Sequence, residues 1–115
     1  VEMPLDPDQI RSVFPSGNPF IHGAACFRRD AAARCGGYRP ELDGSEDYDF
    51  FWRLSETGRT GNLRDVLYHY RITRGSVSSL RARRQFVAHS AARSAGLARA
   101  KGEAERIQLF LQDAE

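Results

Sequence analysis

The sequence contains few cysteines, no proline after residue 40 and no long apolar run. Its two cysteines, Cys26 and Cys35, lack C-x-x-C spacing and have only three histidines beside them. This argues against a structural zinc site and favours buried free thiols in a reducing compartment. No apolar run approaches the roughly 20 residues of a transmembrane helix, and no secretory signal opens the chain. We therefore expect a cytoplasmic protein, or one peripheral to the inner face of the membrane.

The remaining composition is that of an ordinary globular protein. Hydrophobic residues make up 41% of the 115 positions and charged residues 28%, which excludes a disordered chain. A net charge of +2 is too small to indicate nucleic-acid binding by itself. The charge is uneven, however, because residues 80–101 contain no acid but six basic residues: Arg81, Arg83, Arg84, Arg93, Arg99 and Lys101.

The first 40 residues, which hold all five prolines, are predicted to be rich in turns. Asp6-Pro7 is typical of an N-cap followed by a proline at the first helical position, and predicts a helix to about Phe14. Phe20–Arg28 is short and mostly apolar, which favours a buried strand. Asp30 is expected to cap a brief helix that ends at Gly36–Gly37.

An acidic helix is predicted from about Glu46 to Thr57, with Ser45 as its N-cap and Gly58 as its stop. The helix dipole favours the acids of its first turn, and Asp49 is spaced to pair with Arg53 along the exposed side. These acids are either dipole partners only, or they include a positioned general base.

The remaining chain predicts one more strand and then helices. Asn62–Ile72 is rich in strand formers. From Leu80 onward we predict one long helix, or two joined near Gly96 or Gly102. The proposed apolar stripe comprises Phe86, Val87, Leu97, Ile107, Phe110 and Leu111. Two strands do not make a stable sheet, so we expect a homodimer or a missing N-terminal segment that completes the sheet.

Five stretches, in this order, resemble the C-terminal half of family 2 inverting glycosyltransferases. They are Asn18–Arg29, Gly36–Tyr38, Ser45–Leu54, Val66–Arg71 and Ser76–Ser78. The resemblance implies an α/β fold class, namely the C-terminal portion of a GT-A (nucleotide-diphospho-sugar transferase) fold with few strands and long C-terminal helices. Residues 1–79 would then be the acceptor-side part of the catalytic domain, and residues 80–115 a helical extension.

The same resemblance implies a general base at the start of the acidic helix. Asp47 would deprotonate an acceptor hydroxyl as it attacks the anomeric carbon of a nucleotide-sugar, with inversion. Glu46 is the alternative base, and Asp49 is assigned to the Arg53 pair. The resemblance also implies substrate-binding residues near the acceptor and the donor: His22, Gly37, Tyr38, Arg71, Arg74, Ser76 and Ser78.

Each of these binding residues also has a purely structural interpretation. Gly37 fits an ordinary helix C-cap, and His22 fits a packing residue. The segment from Arg74 to Ser78 fits a solvated basic turn as well as a diphosphate-binding loop. The local residues do not choose between these interpretations.

The resemblance further implies partners and a cofactor that this chain lacks. The full enzyme would use a nucleotide-sugar donor, a sugar or lipid-linked acceptor, and Mg²⁺ or Mn²⁺ held by an Asp-x-Asp motif in the missing N-terminal half. Asp6-Pro-Asp8 and Asp47-Tyr-Asp49 match that motif in letters only, so we assign no metal ligand here. Alone, the fragment is expected to have little activity.

Two other classes of function remain open. The basic C-terminal helices are compatible with an assembly module that binds a partner chain, an anionic membrane surface or, less favourably, nucleic acid. The absence of aromatics between Arg81 and Arg84 argues against base stacking. A metal-dependent phosphotransfer enzyme using Asp47 and Asp49 is disfavoured, because no phosphate-binding glycine motif accompanies them.

Overall fold

The computed structural model describes residues 3–69, 71 and 79–112. These residues form five α-helices: α1 (Pro7–Val13), α2 (Arg29–Arg34), α3 (Glu46–Ser55), α4 (Ser79–Ala100) and α5 (Ile107–Gln112). Short 3₁₀ turns lie at His22–Ala24 and Pro40–Leu42. The described part of the chain contains no β-strand, so the predicted α/β class and the GT-A sheet are wrong for it.

The two segments predicted as strands are irregular instead. Residues 20–28 contain only the 3₁₀ turn, and residues 62–69 adopt neither helix nor strand. Their apolar side chains are exposed, with Val66 at 83%, Leu63 at 76% and Ile21 at 42%. Strand-forming residues become a strand only when a neighbouring strand accepts and donates their backbone hydrogen bonds. The described residues supply no such neighbour.

Helix α1 confirms the prediction from Asp6-Pro7. The Asp6 carboxylate accepts a hydrogen bond from the Gln9 N–H at 2.9 Å, and Pro7 is the first helical residue. The helix ends at Val13, and Phe14 follows it into the core with no exposed surface. A local capping signal was enough to place this helix.

Helix α2 confirms the predicted end but not the predicted cap. Gly36 and Gly37 have φ angles of 90° and 69°, and the Gly37 N–H donates to the Ala32 carbonyl at 3.0 Å. This is a left-handed helix end that glycine accommodates without strain. At the start, Arg28 occupies the cap position, and the Asp30 carboxylate accepts from the Ala31 N–H within the first turn.

Helix α3 begins where predicted, with Ser45 at the cap position. The Ser45 side chain makes no capping hydrogen bond, and its hydroxyl donates to the Gln85 carbonyl at 3.5 Å instead. The Glu46 carboxylate accepts from the Gly44 N–H at 2.8 Å. The helix ends at Ser55 rather than at about Thr57.

The core lies between the aromatic side chains of α3 and a face of small residues on α4. That face consists of Ala88, Ala91, Ala92, Ala95 and Gly96, all buried. A Cβ added at Gly96 would lie 2.5 Å from the Trp52 ring, so only glycine fits there. Phe14 stacks on the other side, with its ring centroid 5.4 Å from that of Trp52.

The predicted apolar stripe is therefore partly wrong. Phe86 is 71% exposed, because the bulk of the α3 aromatics leaves room on α4 for small side chains only. Ile107 is buried and Leu97 packs against the core, as predicted. The helix break falls at residues 101–106, where Gly102 has a φ angle of 70°, so of the two predicted junctions Gly102 is confirmed.

Candidate functional site

The start of α3 brings together side chains from three parts of the chain. We call Asn18, His22, Tyr38, Glu46 and Asp47 the Asp47 cluster. The Asn18 amide donates to the Asp47 carboxylate at 3.2 Å. The His22 ring nitrogen Nε2 lies 3.0 Å from the Tyr38 hydroxyl. Four of the predicted site residues therefore lie in one cluster, in which Asp47 is held by an asparagine that the prediction missed.

Packing fixes the two ring side chains of the cluster. The Tyr38 ring centroid lies 4.5 Å from that of Phe50 in α3. The His22 ring packs against Phe51, with centroids 5.7 Å apart. Tyr38 keeps 42% of its surface exposed, so part of this residue is open to a ligand.

The charges of the cluster act on the Tyr38 hydroxyl. Partial burial raises the pKa of Tyr38, and the negative charges of Asp47 and Glu46 raise it further. Tyr38 is therefore a neutral hydrogen-bond donor at physiological pH. A neutral hydroxyl beside half-buried carboxylates provides donors and acceptors for the hydroxyl groups of a sugar.

The two adjacent acids differ in the partner that holds each carboxylate. Glu46 accepts from the backbone N–H of Gly44 at 2.8 Å, which turns it back over the helix start. Asp47 is half-buried and is held through one oxygen, Oδ2, by Asn18. This leaves Oδ1 of Asp47 without a hydrogen bond within the described structure.

Asp49 is on a different face of the helix and is fully buried. Its Oδ2 accepts from the Arg53 Nε at 3.0 Å and pairs with the Arg39 Nε at 3.2 Å. The predicted Asp49–Arg53 pair is confirmed, but its placement on an exposed side is wrong, since Asp49 is 0% and Arg53 7% exposed. Burial follows from the turn after α2, which packs over this face of α3.

Arg53 also holds that turn in place. Its guanidinium donates to the carbonyls of Cys35 and Gly37, each at 2.5 Å. Gly37 thus serves as a helix end whose carbonyl anchors the turn, and its predicted role in substrate binding stays a prediction. Tyr38 follows Gly37 directly, so the Asp49–Arg53 pair fixes the position of the Tyr38 ring within the Asp47 cluster.

Further ion pairs extend from Asp49 to the C-terminal helices. Arg39 contacts Glu105 with two hydrogen bonds of 2.5 and 2.9 Å, and Arg99 joins Glu105 at 2.7 Å and Glu56 at 2.9 Å. We call the series Arg53, Asp49, Arg39, Glu105, Arg99 and Glu56 the ion-pair chain. The hydrogen bonds from Arg39, and secondarily those from Arg99, lower the pKa of Glu105 to about 2.

Among the other predicted substrate-binding residues, only Gly37 and Arg71 lie within the described part of the chain. Arg71 is exposed and forms no hydrogen bond or ion pair with the acids among the described residues. Arg74, Ser76 and Ser78 lie outside the described residues. Both cysteines are free thiols, and Cys26 is exposed rather than buried as predicted.

The described residues do not fit a divalent cation. Within the described ranges no group of three or more histidine, cysteine or acidic side chains is close enough to hold a metal ion. Asp49 is engaged with two arginines, so it does not share a cation with Asp47. Asp6 caps α1.

Over the same ranges no helix combines the length and apolar character needed to cross a membrane.

An open depression of about 980 Å³ lies between residues 20–28 and 57–68. Its apolar lining includes side chains with large exposed surfaces, namely Ile21, Phe27, Leu63, Val66, Leu67 and Tyr68. None of the predicted catalytic or substrate-binding residues that the structure describes lines it. Phe51, which packs against His22 of the Asp47 cluster, is part of its lining.

Comparison with known proteins gives a partial similarity. The chain is 36% identical over 74 residues to a protein of Myxococcus xanthus named O-antigen biosynthesis protein RfbC. The similar region covers 64% of this chain and 5% of that protein, so the chain spans about a twentieth of its length. No protein-family model matches the chain. No solved structure matches it either.

Proposed function

We propose that this chain is the acceptor-side part of a nucleotide-sugar-dependent glycosyltransferase that acts in polysaccharide biosynthesis. The similarity to a protein named for O-antigen biosynthesis supports the polysaccharide context. The ordered stretches that resemble inverting glycosyltransferases support the reaction type. The observation that carries the proposal is the Asp47 cluster, in which a half-buried carboxylate is held through one oxygen and faced by a His22–Tyr38 pair.

In the proposed reaction Asp47 is the general base. An acceptor hydroxyl attacks the anomeric carbon of the donor sugar while its proton passes to the Asp47 carboxylate. The new C–O bond forms as the bond to the nucleoside diphosphate breaks on the opposite face, so the configuration inverts. A hydroxyl is a weak nucleophile, and a carboxylate within hydrogen-bond reach typically contributes about 10²- to 10⁴-fold.

Glu46 is the weaker candidate for the base. Its Oε2 accepts the Gly44 N–H, a backbone contact next to it in the chain, whereas Asp47 is held by the Asn18 side chain from another part of the molecule. Each carboxylate keeps one oxygen without a hydrogen bond among the described residues. The preference for Asp47 is therefore based on the resemblance and on its contact with Asn18.

His22 and Tyr38 are proposed to orient the acceptor. The exposed part of the Tyr38 ring offers an apolar face for the C–H side of a sugar, and its hydroxyl offers a hydrogen bond. We assign the contacts with the diphosphate of the donor to Arg71, Arg74, Ser76 and Ser78. The nucleotide site and any divalent cation are assigned to another part of the enzyme, and no step here depends on a metal.

The test is transfer by the enzyme that contains this chain together with its donor-binding part. Asp47→Asn should lower kcat at least 100-fold, because the isosteric amide accepts no proton. Binding of the nucleotide alone should be unchanged. Glu46→Gln is the matched control, and its kcat should fall far less. Near-normal turnover by Asp47→Asn would overturn the assignment of Asp47.

A second candidate function is contact with a partner chain through the first half of α4. Leu80 is 58% and Phe86 71% exposed on a stretch that carries only basic charge. An exposed aromatic beside arginines is typical of interface residues. Sedimentation of the chain alone should then show a dimer that Phe86→Ser dissociates. A monomer at all concentrations, with salt-sensitive binding to DNA or anionic vesicles, would favour the surface roles instead.

A further inference from the structure

Asn18 makes two side-chain hydrogen bonds that together fix the orientation of its amide. Its Oδ1 accepts from the Phe20 N–H at 3.0 Å, in a turn that asparagine and aspartate both favour. Because Oδ1 is committed to a backbone donor, Nδ2 must face Asp47, to which it donates at 3.2 Å. The orientation of the amide therefore follows from the hydrogen-bond network.

The loop that carries Asn18 is itself anchored. The Asn62 amide donates to the carbonyl of Pro19 at 3.0 Å and to that of Pro4 at 2.7 Å. Pro19 is buried, and Phe20 packs edge-on against Phe51 with ring centroids 5.6 Å apart. Asn18 thus extends from a fixed loop onto an acid 29 positions later in the chain.

We propose that Asn18 is a positioning residue for the Asp47 carboxylate. By donating to Oδ2 it holds the carboxylate plane and directs Oδ1 toward the acceptor hydroxyl. This inference rests on the proposed role of Asp47, but the hydrogen bond can be tested without any activity.

The first experiment is NMR titration of the asparagine side-chain amides in the 115-residue chain. The titratable groups that face Asp47 are Glu46 in α3, and Tyr38 with its partner His22 from the opposing segments. If Asn18 donates to Asp47, its amide resonances move in one step as that carboxylate is protonated. In Asp47→Asn this step should be lost.

Asn62 is the internal control in the same spectra. Its amide donates to two backbone carbonyls, which do not titrate, so its resonances should not move. Asn18 resonances that stay still, that move together with those of Asn62, or that still titrate in Asp47→Asn would each overturn the inference. None of these results depends on whether Asp47 is the catalytic base.

The second experiment separates positioning from turn formation by measuring transfer. Asn18→Asp keeps the oxygen that accepts the Phe20 N–H, but replaces the donor to Asp47 with a negative charge. The variant should fold normally, lose about 100-fold in kcat with little change in KM, and shift the acid limb of its pH–rate profile to higher pH. Wild-type kcat and pH profile in Asn18→Asp would show that Asn18 serves only the turn.

Discussion

Asp47 and Asp49 lie two positions apart in the same helix and have opposite surroundings. Asp47 is half-buried, and among the described residues its carboxylate is bonded to one asparagine amide and to no cation. Asp49 is fully buried and has two arginines on one oxygen. A helix rotates about 100° per residue, so two acids at this spacing lie on different faces. The face of the helix, and not the acidic motif, decides which carboxylate is available for chemistry.

The largest expected effect comes from removing the charge of Asp49. Asp49→Asn leaves the buried Arg53 without a carboxylate and leaves Arg39 with Glu105 alone, and breaking a buried pair in this way typically costs about 3–5 kcal/mol of unfolding free energy. Asp47→Asn should change it by no more than about 0.5 kcal/mol, because a half-exposed amide is tolerated there. Urea unfolding of both variants measures the difference. Equal losses of unfolding free energy in the two variants would contradict the difference in surroundings between Asp47 and Asp49.

A smaller effect is expected on acidification, through Glu105 in the ion-pair chain. Its pKa in the folded protein is about 2, below the ordinary 4.5, so the ionised group stabilises the fold above pH 4.5. That stabilisation is lost as the pH falls from 4.5 toward 2. In Glu105→Gln the urea midpoint should therefore fall less over this range than in the wild type.

Exposed Glu103 provides the matched control for that measurement. Glu103→Gln removes the same type of charge from a residue outside the ion-pair chain. Its urea midpoint should follow the wild-type pH dependence. If both glutamine variants lose the pH dependence equally, the stabilisation belongs to the net charge and not to the contacts of Glu105 with Arg39 and Arg99.

The smallest expected effect concerns the Tyr38 hydroxyl. Asp47→Asn removes one of the negative charges that raise the pKa of Tyr38, so this pKa should fall toward its ordinary value of 10.0 while the effect of burial remains. Asp49→Asn should not lower it, since Asp49 is not among the groups that raise it. NMR titration of labelled tyrosine measures both variants. Tyr48, whose pKa is raised by burial to about 12, is the control in the same titration.

Signals that act within a few residues were enough to predict much of the fold. Asp6-Pro7 placed the start of α1, and Gly36–Gly37 placed the end of α2. The start of α3 and its Asp49–Arg53 pair were also predicted, since an i,i+4 pair depends only on helix geometry. Each of these features is determined by residues that are neighbours in sequence.

The predictions that were wrong concern features that depend on residues distant in the sequence. Residues 20–28 have the composition of a strand, but no described segment pairs with them. The burial of Asp49 depends on the turn after α2 and on Arg39, which periodicity does not reveal. The small-residue face of α4 follows from the position of Trp52, because Gly96 is required only once that ring lies against it.

Part of the Asp47 cluster was predicted, but from the family resemblance and not from local sequence signals. The resemblance pointed to Asp47, Glu46, His22 and Tyr38, and the structure brings these four residues together. Asn18 was within a quoted stretch but had no assigned role, because its contact spans 29 positions. An asparagine followed by a proline and an aromatic residue indicates a fixed turn. Only the folded structure shows that the amide nitrogen of Asn18 donates to Asp47.

The ion-pair chain also constrains the order in which the molecule is built. Arg39 and Glu105 are 66 positions apart, and a contact that closes so long a loop forms late during folding. Arg39 is bonded through Asp49 to Arg53, which anchors the turn before Tyr38. During synthesis on the ribosome, the residues of the Asp47 cluster emerge long before Glu105. The contacts that hold the turn before Tyr38 are therefore complete only after Glu105 has been synthesised.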